Sequence, residues 1–218
     1  RTPAIIELRG GRHVLSRTLV LTGSDSELTF RARDGERPVI SGARVLTNWS
    51  RVPGRPVLWQ VEISAVRDGS WRFRQLFLDG VRQPRARTPN DGYFRATGRL
   101  GTGSPITMPF RRGDLLSEWG NSRDAELILL MKWTDLHVPI LAVDAEKSVA
   151  SLPGGPRAEW MDESDARYWV ENVPEALDAP GEWTLERATG RLVWWPPAGV
   201  DPNQALVTAP ALTTWVRI

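Results

Sequence analysis

Cysteine is absent from the 218 residues, which excludes a disulfide framework, a thiolate metal site and a cysteine nucleophile. Histidine occurs only as His13 and His137. They lie in different strand-like segments and read as ordinary surface or core residues, so no metal centre is expected. No Gly-x-Ser-x-Gly elbow is present, and two histidines leave little to activate a serine. Long apolar runs are missing as well. The most continuous one, Ile128-Leu129-Leu130-Met131, is a strand's worth and falls far short of the roughly 20 residues a membrane helix needs. Lysine is nearly missing, with only Lys132 and Lys147, so arginine supplies almost all of the 28 basic residues set against 26 acidic ones. Charges of both signs are interleaved and no basic stripe forms, so neither nucleic acid nor membrane is expected as a partner. Nothing in the chain calls for a cofactor.

What is present suits a folded all-β protein: 41% hydrophobic and 25% charged residues, with enough length to bury a substantial core. From Ile5 to Gly42 short apolar runs alternate with turn clusters. Leu19-Val20-Leu21 and Val39-Ile40-Ser41 lie about twenty positions apart, a spacing within the range of stacked solenoid coils. Runs of three or four residues cannot make a freestanding sheet, and a parallel β-helix accounts for both their brevity and their spacing. An irregular meander is the alternative that two visible turns leave open.

The middle of the chain reads differently. From Val57 the strands lengthen, with Trp59, Val61 and Ile63 on one face. Between Trp71 and Asn90, Asp79-Gly80 predicts a type I′ hairpin turn, which needs positive φ at both central residues. Alternation places Trp71, Phe73 and Phe77 on its apolar face, while Pro84 marks its second arm as an edge. Glu126 to Trp133 reads as a central strand covered on both faces. Val138 to Val143 and Ser148 to Leu152 form a second hairpin across Asp144 to Lys147, and residues 153 to 167 form an exposed loop with a helical turn near Trp160. Pro174 opens one helical turn, and Glu182 to Glu186 pairs with Arg191 to Trp195 across Ala188-Thr189-Gly190. Short strands return at Ala205 to Ala209 and Thr214 to Ile218.

Catalysis by paired carboxyls requires two of them across a cleft, one held protonated by its surroundings. Asp79, Asp91, Asp114, Glu171, Asp178 and Glu182 are available, but linear spacing pairs none of them. Asp79 belongs to its turn, Asp178 to the end of a helical turn and Glu182 to an exposed strand face. The cluster Asp162-Glu163-Ser164-Asp165 lacks calcium-loop spacing and reads as a solvated loop. Eleven tryptophans are enough for a sugar-stacking platform, although most alternate with polar neighbours as core residues do. Trp119, Trp160 and Trp195 are the candidates for exposure: the first two fall in predicted loops, and the third is adjacent to Trp194 and so faces the opposite way.

The stretches Leu76 to Asn90, Glu171 to Trp183 and Thr189-Gly190-Arg191-Leu192 resemble the N-terminal part of bacterial right-handed parallel β-helix (pectate-lyase-like) proteins related to glycoside hydrolases. The resemblance implies a β-helix start at residues 1–50, an inserted antiparallel β-sandwich or barrel at 51–203, and a truncated return to the β-helix at 204–218. It further implies a secreted or periplasmic location, a polysaccharide or oligosaccharide partner, and catalytic carboxylates on later coils that this chain lacks, so no catalytic residue is assigned. The remainder of its own β-helix is then a further partner. Arg85, Arg87 and Asn90 are the residues expected to shape a wall of the substrate cleft, with Trp119, Trp160 and Trp195 as candidate sugar contacts. A non-catalytic glycan-binding module and a purely structural cap are the alternatives.

Overall fold

The computed structural model describes residues 3–101, 103–121, 124–154 and 164–218. The fold is all-β, with several antiparallel sheets and three small parallel pairs. The parallel pairs come from the two ends of the chain. Ala4–Leu8 runs beside Leu28–Ala32, Gly11–Val14 beside Pro38–Ser41, and Leu19–Val20 beside Val216–Arg217. The expected partnership of the runs near Leu19 and Val39 is therefore not the one formed. Ala4 pairs with Leu28 and Gly11 with Pro38, while the segment at Leu19 waits for a strand almost 200 positions away, which no local spacing could indicate.

Between these ends lie two hydrophobic cores with one sheet shared between them. That sheet runs in the order Trp183–Glu186, Arg191–Trp194, Arg55–Glu62, Ser50–Val52. Side chains alternate across a strand, so Trp59, Val61, Trp183, Leu185, Leu192 and Trp194 enter one core, while Val52, Leu58, Val193 and Trp195 turn toward the other. Trp194 and Trp195 thus both pack because both faces of their sheet are covered. The tryptophan-rich core is closed by a four-stranded sheet of Val81–Gln83, Leu76–Leu78, Val207–Pro210 and Ala43–Val45. In this core Trp49 lies 5.7 Å from Trp194 and Phe73 lies 5.9 Å from Trp183, ring to ring.

The second core is closed by two further sheets. In one, Glu126–Leu130 runs between Arg167–Glu171 and Asp135–Pro139, with Arg87–Thr88 and Phe94–Arg95 on the outer side of Arg167–Glu171. In the other, Val149–Leu152 lies between Ile106–Pro109 and Ala142–Asp144. The run from Val138 to Val143 is consequently two strands in two sheets. The chain changes sheet at Ile140, which is itself buried in the core, and a uniformly apolar run carries no mark of such a crossing.

The Asp79-Gly80 turn is formed as expected, with φ of 49° and 85° and Val81 opposite Leu78. The strand before it begins only at Leu76. Trp71 and Phe73 are buried from irregular backbone, and the face buried in the hairpin is that of Leu76 and Leu78 rather than Phe77. An irregular stretch resets the alternation, so parity counted from Trp71 gives the wrong face. Gly190 also has a structural reason: at φ 74° a Cβ there would sit 2.4 Å from the Ile63 carbonyl oxygen. Ser64–Arg67, between Arg55–Glu62 and Trp71, forms a short helix.

Asn172 ties the shared sheet to the sheet of Glu126–Leu130. It is buried at φ 64°, a conformation asparagine tolerates better than most residues. Its side chain donates to the carbonyls of Asp124 and Leu185 at 2.9 and 3.0 Å and accepts from the Leu185 N–H at 2.7 Å. Asn172→Ala removes these three hydrogen bonds and puts at positive φ a residue that tolerates it less well than asparagine, so a loss of about 3 kcal/mol is expected. Urea unfolding checks it, with Asn172→Gly recovering the backbone part but not the hydrogen bonds.

Candidate functional site

The sheet around Glu126–Leu130 has two unlike faces. Leu127, Leu129, Tyr168 and Val170 point into the core. On the other face Glu126 is registered with Glu171, Ile128 with Trp169 and His137, and Leu130 with Arg167 and Asp135. Arg87 sits opposite Glu171 on the outer strand. Directly opposed residues in an antiparallel pair have side chains in contact range. The register therefore brings two like-charged carboxylates, Glu126 and Glu171, side by side, an arrangement that is unfavourable without a counter-ion.

Arg85 supplies it. One guanidinium nitrogen donates to Glu126 Oε2 and lies 3.6 Å from Glu171 Oε2. Glu126 Oε2 also pairs with Arg74 at 2.6 Å, and Glu171 accepts from the Trp169 indole N–H at 2.7 Å. Arg74 extends the chain by donating to His137 Nδ1 at 2.7 Å. Nδ1 must then be the acceptor, which leaves the ring proton on Nε2 to be donated to Asp135 at 2.8 Å. That hydrogen bond is the first cause holding the Asp135 carboxyl below its usual value. A continuous polar ladder thus crosses three strands from Asp135 to Trp169.

At the Trp169 end the ladder meets aromatic rings capped by arginine. Arg87 lies 4.6 Å above the Trp169 ring and Arg167 5.3 Å from that of Tyr93, whose centroid is 5.7 Å from Trp169. Tyr93 is 47% exposed, but the two rings are tilted by 50°. A tilted, guanidinium-capped pair gains cation–π energy and does not offer the flat surface that a sugar ring stacks on.

Midway along, at Arg74, Glu126 and Arg85, the ladder borders a concavity of about 430 Å³ where three sheets meet. Its walls include Arg72, Arg74, Arg85, Asp124, Glu126 and Arg187, and Phe73, Leu185 and Pro210 give it an apolar component. This volume lies within the range of small-ligand sites.

The residues named from sequence separate in the structure. Arg85 pairs with Glu126 and Glu171, whereas Arg87, opposite Glu171 in register, donates to the carbonyls of Pro89 and Gly92 at 3.0 and 2.7 Å. Asn90 is exposed and donates to Asp178 at 2.7 Å. Trp119 is buried, its indole N–H on Glu175 at 3.1 Å, because Ser117–Asn121 is a 3-10 turn packed on the core rather than an open loop. Trp195 is half-buried and borders a different concavity with Trp59 and Arg51. Trp160 and the acidic residues Asp162 and Glu163 lie outside the described residues. Trp133, 85% exposed in the turn after Glu126–Leu130, escaped notice because it reads as the end of an apolar strand. Arg74, Glu126 and His137 were equally hidden, since cross-strand register sets Glu126 and His137 on one face and only the tertiary fold brings Arg74 to them.

Among the remaining carboxyls, burial pushes Asp114 and Glu182 above the usual carboxylate range, Asp114 despite the Tyr168 hydroxyl donating to it at 3.1 Å. Tyr168 is itself pushed up by burial and by that carboxylate. Neither acid borders the cleft. Glu182 is buried rather than on an exposed strand face, and accepts from the N–H groups of Asp178 and Ala179, each at 3.0 Å. Its ionised form is disfavoured by folding, so between its unfolded and folded pKa the native chain holds more protons, and this contribution to stability falls as pH rises through that window. Glu182→Gln retains an acceptor oxygen for both amides and is expected to remove that decline. Urea midpoints measured from about pH 4 upward check it, an unchanged pH slope counting against the assignment.

No protein-family model matches the chain, and no curated protein matches it. Among solved structures it is similar to one described as a glycoside hydrolase, with a TM-score of 0.74 and 19% identity over 97% of this chain and 39% of that one. A second, the complex structure of XylC with xylose, is matched at a TM-score of 0.36 and 13% identity over 97% of this chain and 27% of that one, too weakly to carry an argument. The first likeness is one of fold, and the chain spans 39% of the length of that structure.

Proposed function

We propose that this chain is the N-terminal capping or accessory region of a carbohydrate-active β-helix protein, a glycoside hydrolase acting on polysaccharide or oligosaccharide outside the cytoplasm, secreted or periplasmic. In this reading residues 1–50 open the solenoid, 51–203 form an inserted antiparallel unit and 204–218 rejoin the coil. The observation that carries it is the parallel pairing of Val216–Arg217 with Leu19–Val20. A chain that leaves a coil, folds an antiparallel unit and comes back in parallel beside its own beginning is behaving as an interrupted solenoid does. Ala4–Leu8 stacked on Leu28–Ala32, and Gly11–Val14 on Pro38–Ser41, support the same reading. So does the fold shared with part of a glycoside hydrolase. The outer strands of these pairs carry exposed Phe30 and Val39 and present open edges, the surfaces on which further coils would stack.

Catalysis belongs, in this proposal, to carboxylates on those further coils. Within the chain, Glu126 and Glu171 are engaged by one guanidinium, and Asp114 and Glu182 are bound to local partners away from the cleft. The test is sugar release by the purified 218-residue chain from a panel of polysaccharides and aryl glycosides, beside an unrelated control protein. Release at the control level is expected. Hydrolysis well above control would place a working carboxyl pair within these residues and overturn the capping role. Sugar contact by the inserted unit itself, the glycan-binding alternative, is favoured by the arginine-lined cleft rather than by any tryptophan platform.

A further inference from the structure

The cleft at the junction of the three sheets has more positive charge than its own carboxylates balance. Arg72, Arg74, Arg85 and Arg187 border it, against Asp124 and Glu126. Arg187 is engaged by Asp124, and Arg74 and Arg85 converge on the single oxygen Oε2 of Glu126. Glu171, the next carboxylate along, is already shared with the Trp169 indole. Arg72 is exposed and makes no hydrogen bond or ion pair among the described residues.

Arg85 adds an independent sign. Its side chain is only 9% exposed, lies 5.8 Å from the ring of the fully buried Trp183, and carries a buried Nε with no hydrogen-bond partner. A buried guanidinium with an unused donor is costly unless something accepts from it. Guanidinium groups recognise planar oxyanions through paired N–H donors, and Phe73, Leu185 and Pro210 give the same cleft apolar surface suited to the carbon face of a sugar ring.

We infer that this cleft binds an anionic sugar unit, a carboxylate-bearing residue of an oligosaccharide, with Arg72 and Arg74 on the anionic group and Arg85 anchoring the floor. The inference rests on the carbohydrate reading above for its ligand class. Its requirement for negative charge comes from the cleft alone.

The test is equilibrium binding of the 218-residue chain to oligogalacturonides, beside neutral xylo-oligosaccharides of equal length and a sulfated dextran, at low and high salt. Oligogalacturonide binding that weakens with salt is expected to fall about tenfold in Arg72→Gln and again in Arg74→Gln, the scale of a lost charged hydrogen bond. Arg112→Gln, at an exposed arginine outside the cleft, is expected to bind like the parent. Arg72 has no hydrogen-bond or ion-pair partner among the described residues, so its variant is expected to keep the parent's unfolding midpoint. Equal or tighter binding of the neutral sugars overturns the inference while leaving the carbohydrate reading in place. Preference for the sulfated chain overturns the carboxylate assignment, and unchanged binding in Arg72→Gln and Arg74→Gln overturns the site. Binding to none of the three overturns the inference alone, since the capping role is judged separately by sugar release.

Discussion

One buried amide holds the antiparallel unit together. The side chain of Asn172 satisfies the N–H and C=O of Leu185 and the C=O of Asp124, while its own N–H donates to the Ala86 carbonyl at 2.8 Å. These bonds fix the end of Arg167–Glu171, the entry to Glu126–Leu130 and the middle of Trp183–Glu186 relative to one another. The interior is of low polarity, where backbone N–H and C=O groups need partners, and the Asn172 amide supplies one at each of these points. The position of the polar ladder follows from this. Asn172 grips the chain at Asp124, two residues before Glu126, and Glu171 immediately precedes Asn172.

The shared sheet makes the arrangement possible. Because Arg55–Glu62 and Arg191–Trp194 bury residues of both parities, each hydrophobic core has a common wall. The concavity between sheets forms where that wall, the hairpin sheet and the ladder sheet fail to close completely. Arginine lines the gap, which suits a residue whose planar head can stack on aromatic rings and still donate to oxygen. Among the ten tryptophans that lie in the described residues six are buried, so their abundance reflects core construction more than surface chemistry.

How far the sequence could be read differs from element to element. The Asp79-Gly80 turn and the hairpin of Trp183–Glu186 with Arg191–Trp194 were legible because their signals are local: turn residues that accept positive φ and alternation on both sides. The buried row Trp59, Val61 and Ile63 was legible for the same reason. The strand change at Ile140 was not, since the run from Val138 to Val143 is apolar throughout and no Gly, Asn or Asp marks the crossing. The hairpin's buried face was misjudged because the irregular stretch from Trp71 to Gln75 breaks the alternation. Of the candidate site, Arg85 and Arg87 could be singled out, but Glu126, His137 and Glu171 lie roughly forty to ninety positions further along the chain, and their proximity is visible only once strands are paired.

Composition and local pattern by themselves determined an all-β protein without cysteine chemistry, with hairpins at defined turns and short strands at both ends, because backbone preference and side-chain periodicity act over a few residues. Tertiary structure alone decided which short strands pair in parallel, which of the carboxylates stand side by side, and where uncompensated arginine faces open space. Those outcomes depend on register between distant segments, where a shift of one residue would turn every side chain to the opposite face.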